Sequence, residues 1–144
     1  MSYLDLSKLL DASIFYEEQT VQFYQAILSV VQNETIQTLV KTLTDQELKH
    51  IGQLRAFKTK MTDSAFSQFN PELTFPYPLE GQDFSKISLK TLLEMALTVE
   101  KVGWEFYRNL SENAQNDSTR EFFATLMRFE QSHIDLLAKQ SAYD

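Results

Sequence analysis

Cysteine is absent from this 144-residue chain, and glycine and proline occur only three times each. Without cysteine the chain cannot form disulfides, iron–sulfur clusters or thiolate zinc sites, and it cannot use a cysteine nucleophile. The prolines fall together, at Pro71, Pro76 and Pro78, so the long segments on either side carry no proline break. Both segments are therefore free to be helical.

Long apolar runs and an excess of positive charge are missing as well. No run approaches the ~20 apolar residues that a spanning helix needs, and the first residues lack the apolar core of a secretion signal. The formal net charge is −7, which argues against nucleic acid or an anionic membrane as a partner, because both require a basic face. We therefore expect a soluble cytoplasmic protein, and its length predicts one domain over residues 1–144.

The two halves of the sequence are related by a shift of 83 positions. Without a gap, the shift superimposes identical polar and aromatic residues: Glu17 on Glu100, Phe23-Tyr24 on Phe106-Tyr107, Asn33 on Asn116, Glu47 on Glu130 and His50 on His133. Two copies of so long a period do not make a solenoid, so we interpret the pattern as an internal duplication of a helical hairpin. Chance matching of leucine-rich helices would explain matched leucines, but not the matched glutamates and histidines.

Apolar residues recur at steps of three and four through four segments, which is the spacing of amphipathic helices. The pattern predicts helices at roughly 3–32, 34–61, 86–114 and 118–140. Short turns join the first helix to the second and the third to the fourth, so each pair should be antiparallel. We expect asparagine in these turns to adopt the left-handed conformation that ends many helices, and Ser118-x-x-Glu121 to open the fourth helix as a capping box.

Residues 62–85 separate the two predicted hairpins and hold the prolines together with five aromatic residues: Phe66, Phe69, Phe75, Tyr77 and Phe84. An extended link of this length reaches ~80 Å, whereas a helix of about 28 residues is ~42 Å long. The link can therefore run the length of the bundle as a strap with its aromatic side chains against the outside. The predicted fold is all-α, a four-helix bundle of two antiparallel hairpins, about 3–61 and 86–140, with one long crossover.

Four glutamates and both histidines occupy positions on the apolar stripes: Glu17, Glu47, His50, Glu100, Glu130 and His133. Burying one unpaired carboxylate costs several kcal/mol, and four together would oppose a total stability of only ~5–15 kcal/mol. No matching lysines or arginines lie on these stripes, so the remaining compensators are protons or metal ions. Two divalent ions would balance four carboxylates and two neutral imidazoles, and such mixed ligands suit iron or manganese, with zinc as a common substitute.

Each histidine follows a glutamate by three residues, so the two side chains of each Glu-x-x-His motif share one helix face. A single motif of this kind is more often a surface glutamate beside a satisfied histidine than half of a metal site. Two such motifs at the same offset, each joined by a lone glutamate on a stripe, favour one site of six ligands around two metal ions.

The pattern resembles the ferritin-like di-iron carboxylate proteins of the rubrerythrin type, in which two helices give one Glu each and two give Glu-x-x-His. The resemblance covers all four helices and extends to the run from Glu100 to Tyr107. It implies a ferritin-like bundle with two metal ions per chain, iron in the first place and manganese or zinc as alternatives. It implies six ligands: Glu17 and Glu100 singly, and Glu47 with His50 and Glu130 with His133 in pairs.

The resemblance also implies a role for Tyr24 and Tyr107, which lie two turns after Glu17 and Glu100. Each tyrosine would donate its hydroxyl to a ligand carboxylate across the site and so orient it. A core aromatic with a satisfied hydroxyl is an equally good interpretation of both residues.

Two features depart from the rubrerythrin pattern. Full rubrerythrins add a Cys-rich rubredoxin domain that feeds electrons to the metal centre, and this chain has no cysteine, so its electron donor would be a separate protein or a small reductant. Rubrerythrins also carry an extra Glu one turn after the ligand of the third helix, where this chain has Gly103 and Trp104. The second departure argues against full peroxidase activity.

The function that the resemblance implies is an oxidoreductase whose di-iron centre reacts with peroxide or O₂ and is reduced by an external donor. One alternative is iron storage of the bacterioferritin type, although Leu48 stands where bacterioferritins place a haem-ligating Met, so no haem is expected. The other alternative is a non-enzymatic bundle held together by metal. The aromatic content of 12% makes a homodimer the expected assembly.

Overall fold

A computed structural model of the chain describes residues 6–60 and 72–142. Within these ranges there is no strand, and the helices are α1 (Leu6–Val30), α2 (Glu34–Lys60), a short 3₁₀ helix (Phe84–Lys86), α3 (Leu89–Asn113) and α4 (Asp117–Ser141). Helix α1 packs against α2, and α3 packs against α4. The predicted all-α bundle of two hairpins is therefore confirmed. None of the helices in the described ranges is long and apolar enough to cross a membrane.

The turns within the hairpins use asparagine differently from the prediction. The side-chain oxygen of Asn33 accepts a hydrogen bond from the backbone N–H of Ile36 at 3.1 Å, and that of Asn116 accepts one from Thr119 at 2.8 Å. Both asparagines therefore open the following helix, where they satisfy N–H groups that lack a partner within it. No described residue other than glycine has a positive φ. The left-handed asparagines and the capping box at Ser118 were wrong predictions.

The third helix begins three residues later than predicted. Ser88 has an extended backbone, and its side chain accepts a hydrogen bond from the backbone N–H of Thr91, so α3 begins at Leu89 instead of residue 86. The serine side chain satisfies a backbone N–H of the first turn that has no partner within the helix, which fixes the start of α3 at this point.

The described part of the crossover lies against α1. Phe23 of α1 meets Phe75, Tyr77 and Phe84, with ring centroids 5.8 to 6.2 Å apart. These three aromatic residues pack as the strap prediction expected, whereas Phe66 and Phe69 fall outside the described residues.

Buried apolar side chains form two clusters, one toward each end of the bundle. The first apolar cluster includes Phe23, Ile36, Leu43, Leu92 and Leu93. The second apolar cluster includes Leu10, Leu54, Leu110, Phe123 and Leu126. Between them lies a set of buried ionisable side chains, called the polar layer below: Glu17, Glu47, His50, Glu100, Glu130 and His133.

Candidate metal centre

The polar layer brings together all six residues that were predicted from the sequence as metal ligands. Every helix contributes, because each residue takes a position on the apolar stripe of its helix and so points inward. The exposed fraction of each residue is 2% or less. Burial of this degree is rare for carboxylates unless they are paired or bind metal.

The ligand atoms of the layer fall into two overlapping groups of four. One group is Glu17, Glu47, His50 and Glu130, and the other is Glu47, Glu100, Glu130 and His133. Within each group the ligand atoms lie within 4.8 Å of one another. Because Glu47 and Glu130 belong to both groups, the arrangement suggests a binuclear site with two shared carboxylates.

Both histidines present the same ring nitrogen to the carboxylates. Nδ1 of His133 lies 3.0 Å from Glu47 Oε1 and 3.3 Å from Glu100 Oε2. Nδ1 of His50 lies 3.6 Å from Glu47 Oε2 and 3.9 Å from Glu130 Oε1. The two rings are nearly parallel, with centroids 5.6 Å apart. Nδ1 of each histidine therefore faces two carboxylates, and the contacts of His133 are the shorter ones.

Several buried atoms of the layer make no hydrogen bond. They are both carboxylate oxygens of Glu47, Oε1 of Glu130 and Nδ1 of His50. Buried polar atoms normally have a partner, and each one left without a partner costs about 1–3 kcal/mol. Oxygen and imidazole lone pairs that converge in this way are what divalent transition metals bind. The residues present therefore fit a pair of metal ions.

Two tyrosine hydroxyls cross the bundle to the single glutamates. Tyr24 of α1 donates to Glu100 Oε1 at 2.5 Å, and Tyr107 of α3 donates to Glu17 Oε1 at 2.8 Å. Burial raises the pKa of both tyrosines well above the ordinary value, and the nearby carboxylates add to the effect. Both hydroxyls therefore keep their protons and remain donors. The expected hydrogen bonds are present, while their role in orienting metal ligands stays a prediction.

Without metal, the layer is balanced by protons. Burial raises the pKa of Glu17, Glu47 and Glu130, with further contributions from the other carboxylates. Glu100 differs, because hydrogen bonding with Glu130, His133 and Tyr24 outweighs the effect of burial and lowers its pKa to about 2. Metal binding to such a layer would displace protons.

The two histidines also titrate differently. Burial lowers the pKa of His50. Burial acts in the same direction on His133, but the close carboxylates of Glu100 and Glu47 outweigh it and raise the pKa to about 10. The metal-free layer thus holds one charged and one neutral imidazole at pH 7.

Sequence reasoning missed two residues that touch the histidines. Oε1 of Gln46 lies 2.5 Å from Nε2 of His133, and the ring of Phe129 lies 4.9 Å from that of His50. The shift of 83 positions also pairs Gln46 with Phe129, and each immediately precedes a Glu-x-x-His motif. The matched positions could have indicated that both residues contact a histidine. Because one residue is Gln and the other is Phe, a search for similar residues in the two halves did not find the pair.

The position one turn after Glu100 lies beside the site without a polar side chain. A Cβ atom on Gly103 would be 3.5 Å from the carboxyl carbon of Glu130 and 3.6 Å from the ring of Tyr16. The hydroxyl of Tyr16 in turn donates to the backbone oxygen of Val99 at 2.6 Å. An aromatic ring, not a carboxylate, therefore packs against this part of the layer.

Comparison with known proteins gives consistent results. The family model for rubrerythrin matches residues 8–141. A protein of Thermotoga maritima, described as a ferritin-like diiron-carboxylate protein, has a TM-score of 0.84 at 23% identity, over 99% of this chain and 97% of that one. No curated protein matches the chain.

Two further solved structures share the bundle. A hypothetical protein of Pyrococcus furiosus has a TM-score of 0.75 at 21% identity, over 95% of this chain and 88% of that one. A conserved hypothetical protein of Mycobacterium tuberculosis has a TM-score of 0.65 at 19% identity, over 91% and 92%. At these identities the structures support the fold alone, and the predicted ferritin-like bundle is confirmed.

Proposed function

This chain belongs to the rubrerythrin family, and we propose that it is a di-iron carboxylate oxidoreductase that reacts with peroxide or O₂ and takes electrons from an external donor. The observation that carries the proposal is the pair of four-residue ligand sets that share Glu47 and Glu130 in a buried layer. Four carboxylates and two imidazoles suit iron, with manganese and zinc as alternative occupants. When bound, the metal pair supplies the redox chemistry, which none of the side chains of the layer can supply alone.

The six side chains divide into terminal and shared ligands. Glu17 and His50 would hold one ion, Glu100 and His133 would hold the other, and Glu47 with Glu130 would contact both. This assignment uses every oxygen and nitrogen of the layer that makes no hydrogen bond. It also replaces the protons that keep the metal-free layer near neutrality.

The tyrosines position the terminal carboxylates. Because Tyr24 donates to one oxygen of Glu100, the other oxygen is left to bind metal, and Tyr107 does the same for Glu17. Partners of this kind fix the orientation of ligands. Their raised pKa values keep both phenols protonated, so this support persists across the physiological pH range.

The surrounding side chains keep the layer dry. The two apolar clusters cover it above and below, which excludes bulk water and strengthens the electrostatic interactions inside. Electrons would come from a separate protein or a small reductant, since the chain has no cysteine for a rubredoxin-like centre. With Gly103 in place of a carboxylate beside Glu130, reaction with O₂ has to be tested alongside reaction with peroxide.

The test is oxidation of bound iron. Protein loaded anaerobically with two equivalents of Fe(II) is mixed with peroxide or with O₂ in a stopped-flow instrument, and absorbance is followed. We expect oxidation faster than that of free Fe(II), and we expect Glu47→Gln to lose the acceleration because Glu47 belongs to both ligand sets. Oxidation no faster than free iron with both oxidants would leave a bundle that uses metal only for stability.

Assembly separates this proposal from iron storage. We propose a homodimer, supported by exposed large apolar side chains on several helices: Phe15, Leu48, Phe129 and Leu136. Size-exclusion chromatography with light scattering measures the mass directly. A dimer fits the oxidoreductase proposal, whereas a large closed cage would favour storage of the bacterioferritin type.

A further inference from the structure

The two residues that precede the Glu-x-x-His motifs each touch the histidine of the other hairpin. Gln46 on α2 contacts His133 on α4, and Phe129 on α4 contacts His50 on α2. The contacts are related by the same shift of 83 positions that relates the ligands. One position of this symmetric pair is polar and the other is apolar.

The contact at Gln46 fixes the state of His133. The side-chain oxygen of Gln46 can only accept, so Nε2 of His133, 2.5 Å away, carries the proton. Metal binding would displace the proton that the charged imidazole carries on Nδ1, which leaves the lone pair on the nitrogen that lies 3.0 Å from Glu47 and 3.3 Å from Glu100. Gln46 therefore holds His133 in the tautomer and orientation that can bind metal.

The contact between Phe129 and His50 does not fix which ring nitrogen of His50 carries the proton. The phenyl ring lies 4.9 Å from the imidazole at an interplanar angle of 37° and offers no carbonyl oxygen to a ring N–H. Nδ1 of His50 has no hydrogen-bond partner either. The ring of Phe129 therefore covers His50 without accepting a hydrogen bond from it.

Other contacts around the two ligand sets are matched. Each set has one single glutamate that accepts from a tyrosine, and both sets share Glu47 and Glu130. The outer contact of the histidine is the difference that acts on the ring nitrogen opposite the metal position.

We propose that the two metal positions are unequal, that the position formed by Glu100 and His133 binds a divalent ion more tightly and fills first, and that Gln46 is the positioning residue responsible. The proposal rests on the proposed metal centre. Partners on the outer nitrogen of a ligating histidine typically change metal affinity 10–100-fold. We expect a difference of about that size between the two positions.

The experiment titrates metal-free protein with Zn(II), which binds without redox chemistry. Calorimetry should resolve two zinc-binding steps. Up to one equivalent of zinc, the NMR signals of the His133 ring should shift, and those of the His50 ring should shift only during the second equivalent. Gln46→Leu should weaken the tighter step about 10–100-fold, and Gln46→Glu, which keeps an acceptor, should restore it. Phe129→Gln should strengthen the weaker step, which a loss of structure could not do.

The outcomes separate this inference from the proposed function. Two steps with His133 first, and with the expected effects of the variants, support the inequality. Two equal steps, His50 filling first, or a Gln46→Leu variant with unchanged affinities would overturn it while leaving the metal centre intact. No zinc binding at all would overturn the metal centre itself.

Discussion

The polar layer and the two apolar clusters occupy the same stripes of the same helices and are buried to the same degree. Phe123 and Leu43 are 0% exposed, and so are Glu47 and His133. Burial of the apolar residues stabilises the folded protein whatever the solution conditions. Burial of the ionisable residues destabilises it unless a proton or a metal ion compensates their charge. Identical burial therefore has opposite consequences, and the stability of the bundle should depend on what the polar layer binds.

The contacts of the two regions differ in the same way. In the second apolar cluster, the ring of Phe123 stacks against that of Tyr107 at 6.2 Å and meets Phe57 edge-on at 6.3 Å. In the polar layer, neither oxygen of Glu47 makes a hydrogen bond. The clusters are complete without a ligand, whereas the layer is not.

The largest expected effect is that of removing a buried ring. Phe123→Ala should lower the free energy of unfolding by about 3–5 kcal/mol, because it leaves a cavity in the second apolar cluster. Urea denaturation should give the same loss with and without zinc. Phe15→Ala is the matched control, since Phe15 is 63% exposed and should cost no more than about 0.5 kcal/mol. If zinc abolished the loss at Phe123, the cluster would not be independent of the layer.

Saturation with metal should raise stability by a similar amount. At a free zinc concentration 100 to 1,000 times the Kd, the free energy of unfolding should rise by about 2.7–4.1 kcal/mol. Glu47→Gln should remove most of this gain, because Glu47 belongs to both ligand sets. Glu18→Gln, at an exposed position next to Glu17, should keep all of it. An equal gain in both variants would show that zinc stabilises the protein from some other site.

Removing the tyrosine hydroxyls should lower the free energy of unfolding by different amounts, because the two single glutamates that accept from them differ in charge. In metal-free protein, the low pKa of Glu100 keeps it charged and the raised pKa of Glu17 favours its neutral form. Hydrogen bonds to charged groups are worth about 1.5–3 kcal/mol, and neutral ones about 0.5–1.5 kcal/mol. Tyr24→Phe should therefore cost more than Tyr107→Phe in urea denaturation. Equal costs would mean that both glutamates carry the same charge.

Most of this architecture could be predicted from the sequence. The helices follow from apolar spacing, and the six ionisable residues stand out because they occupy apolar positions without matching cations. The repeat then joined Glu47-His50 and Glu130-His133 into one site. Patterns of this kind are readable because burial acts on each helix separately, before any packing is known.

The features that were mispredicted or missed depend on geometry that spacing does not contain. Asn33 and Asn116 favour either end of a helix on intrinsic grounds, and only the path of the turn decides that they open the next one. Gln46 and Phe129 lie off the stripes, so their contacts depend on how closely α2 approaches α4. Neither outcome could be obtained from one helix alone.

The expected effect most specific to the polar layer is the change of stability with pH. The pKa of His133 is raised from 6.5 to about 10, so the metal-free folded protein holds a proton there that most unfolded chains have lost at pH 7. Burial shifts the pKa values of Glu17 and Glu130 in the same direction. Stability from such groups is complete below their ordinary pKa values and is lost as the pH rises through the folded-state values. Between pH 7 and 8.5 the free energy of unfolding should therefore fall, by about 1.4 kcal/mol per pH unit for each proton of difference.

Zinc-loaded protein should show almost no such fall over the same range, because zinc has already displaced these protons and folding no longer retains them. Urea denaturation at pH 7 and 8.5, with zinc and with a chelator, measures both slopes. His133→Gln should flatten the slope of the metal-free protein, since it removes one of the protons retained on folding. Metal-free protein that became more stable toward pH 8.5 would contradict the assignment of those protons to the folded state, and the layer would then tolerate its buried charges without a compensating ligand.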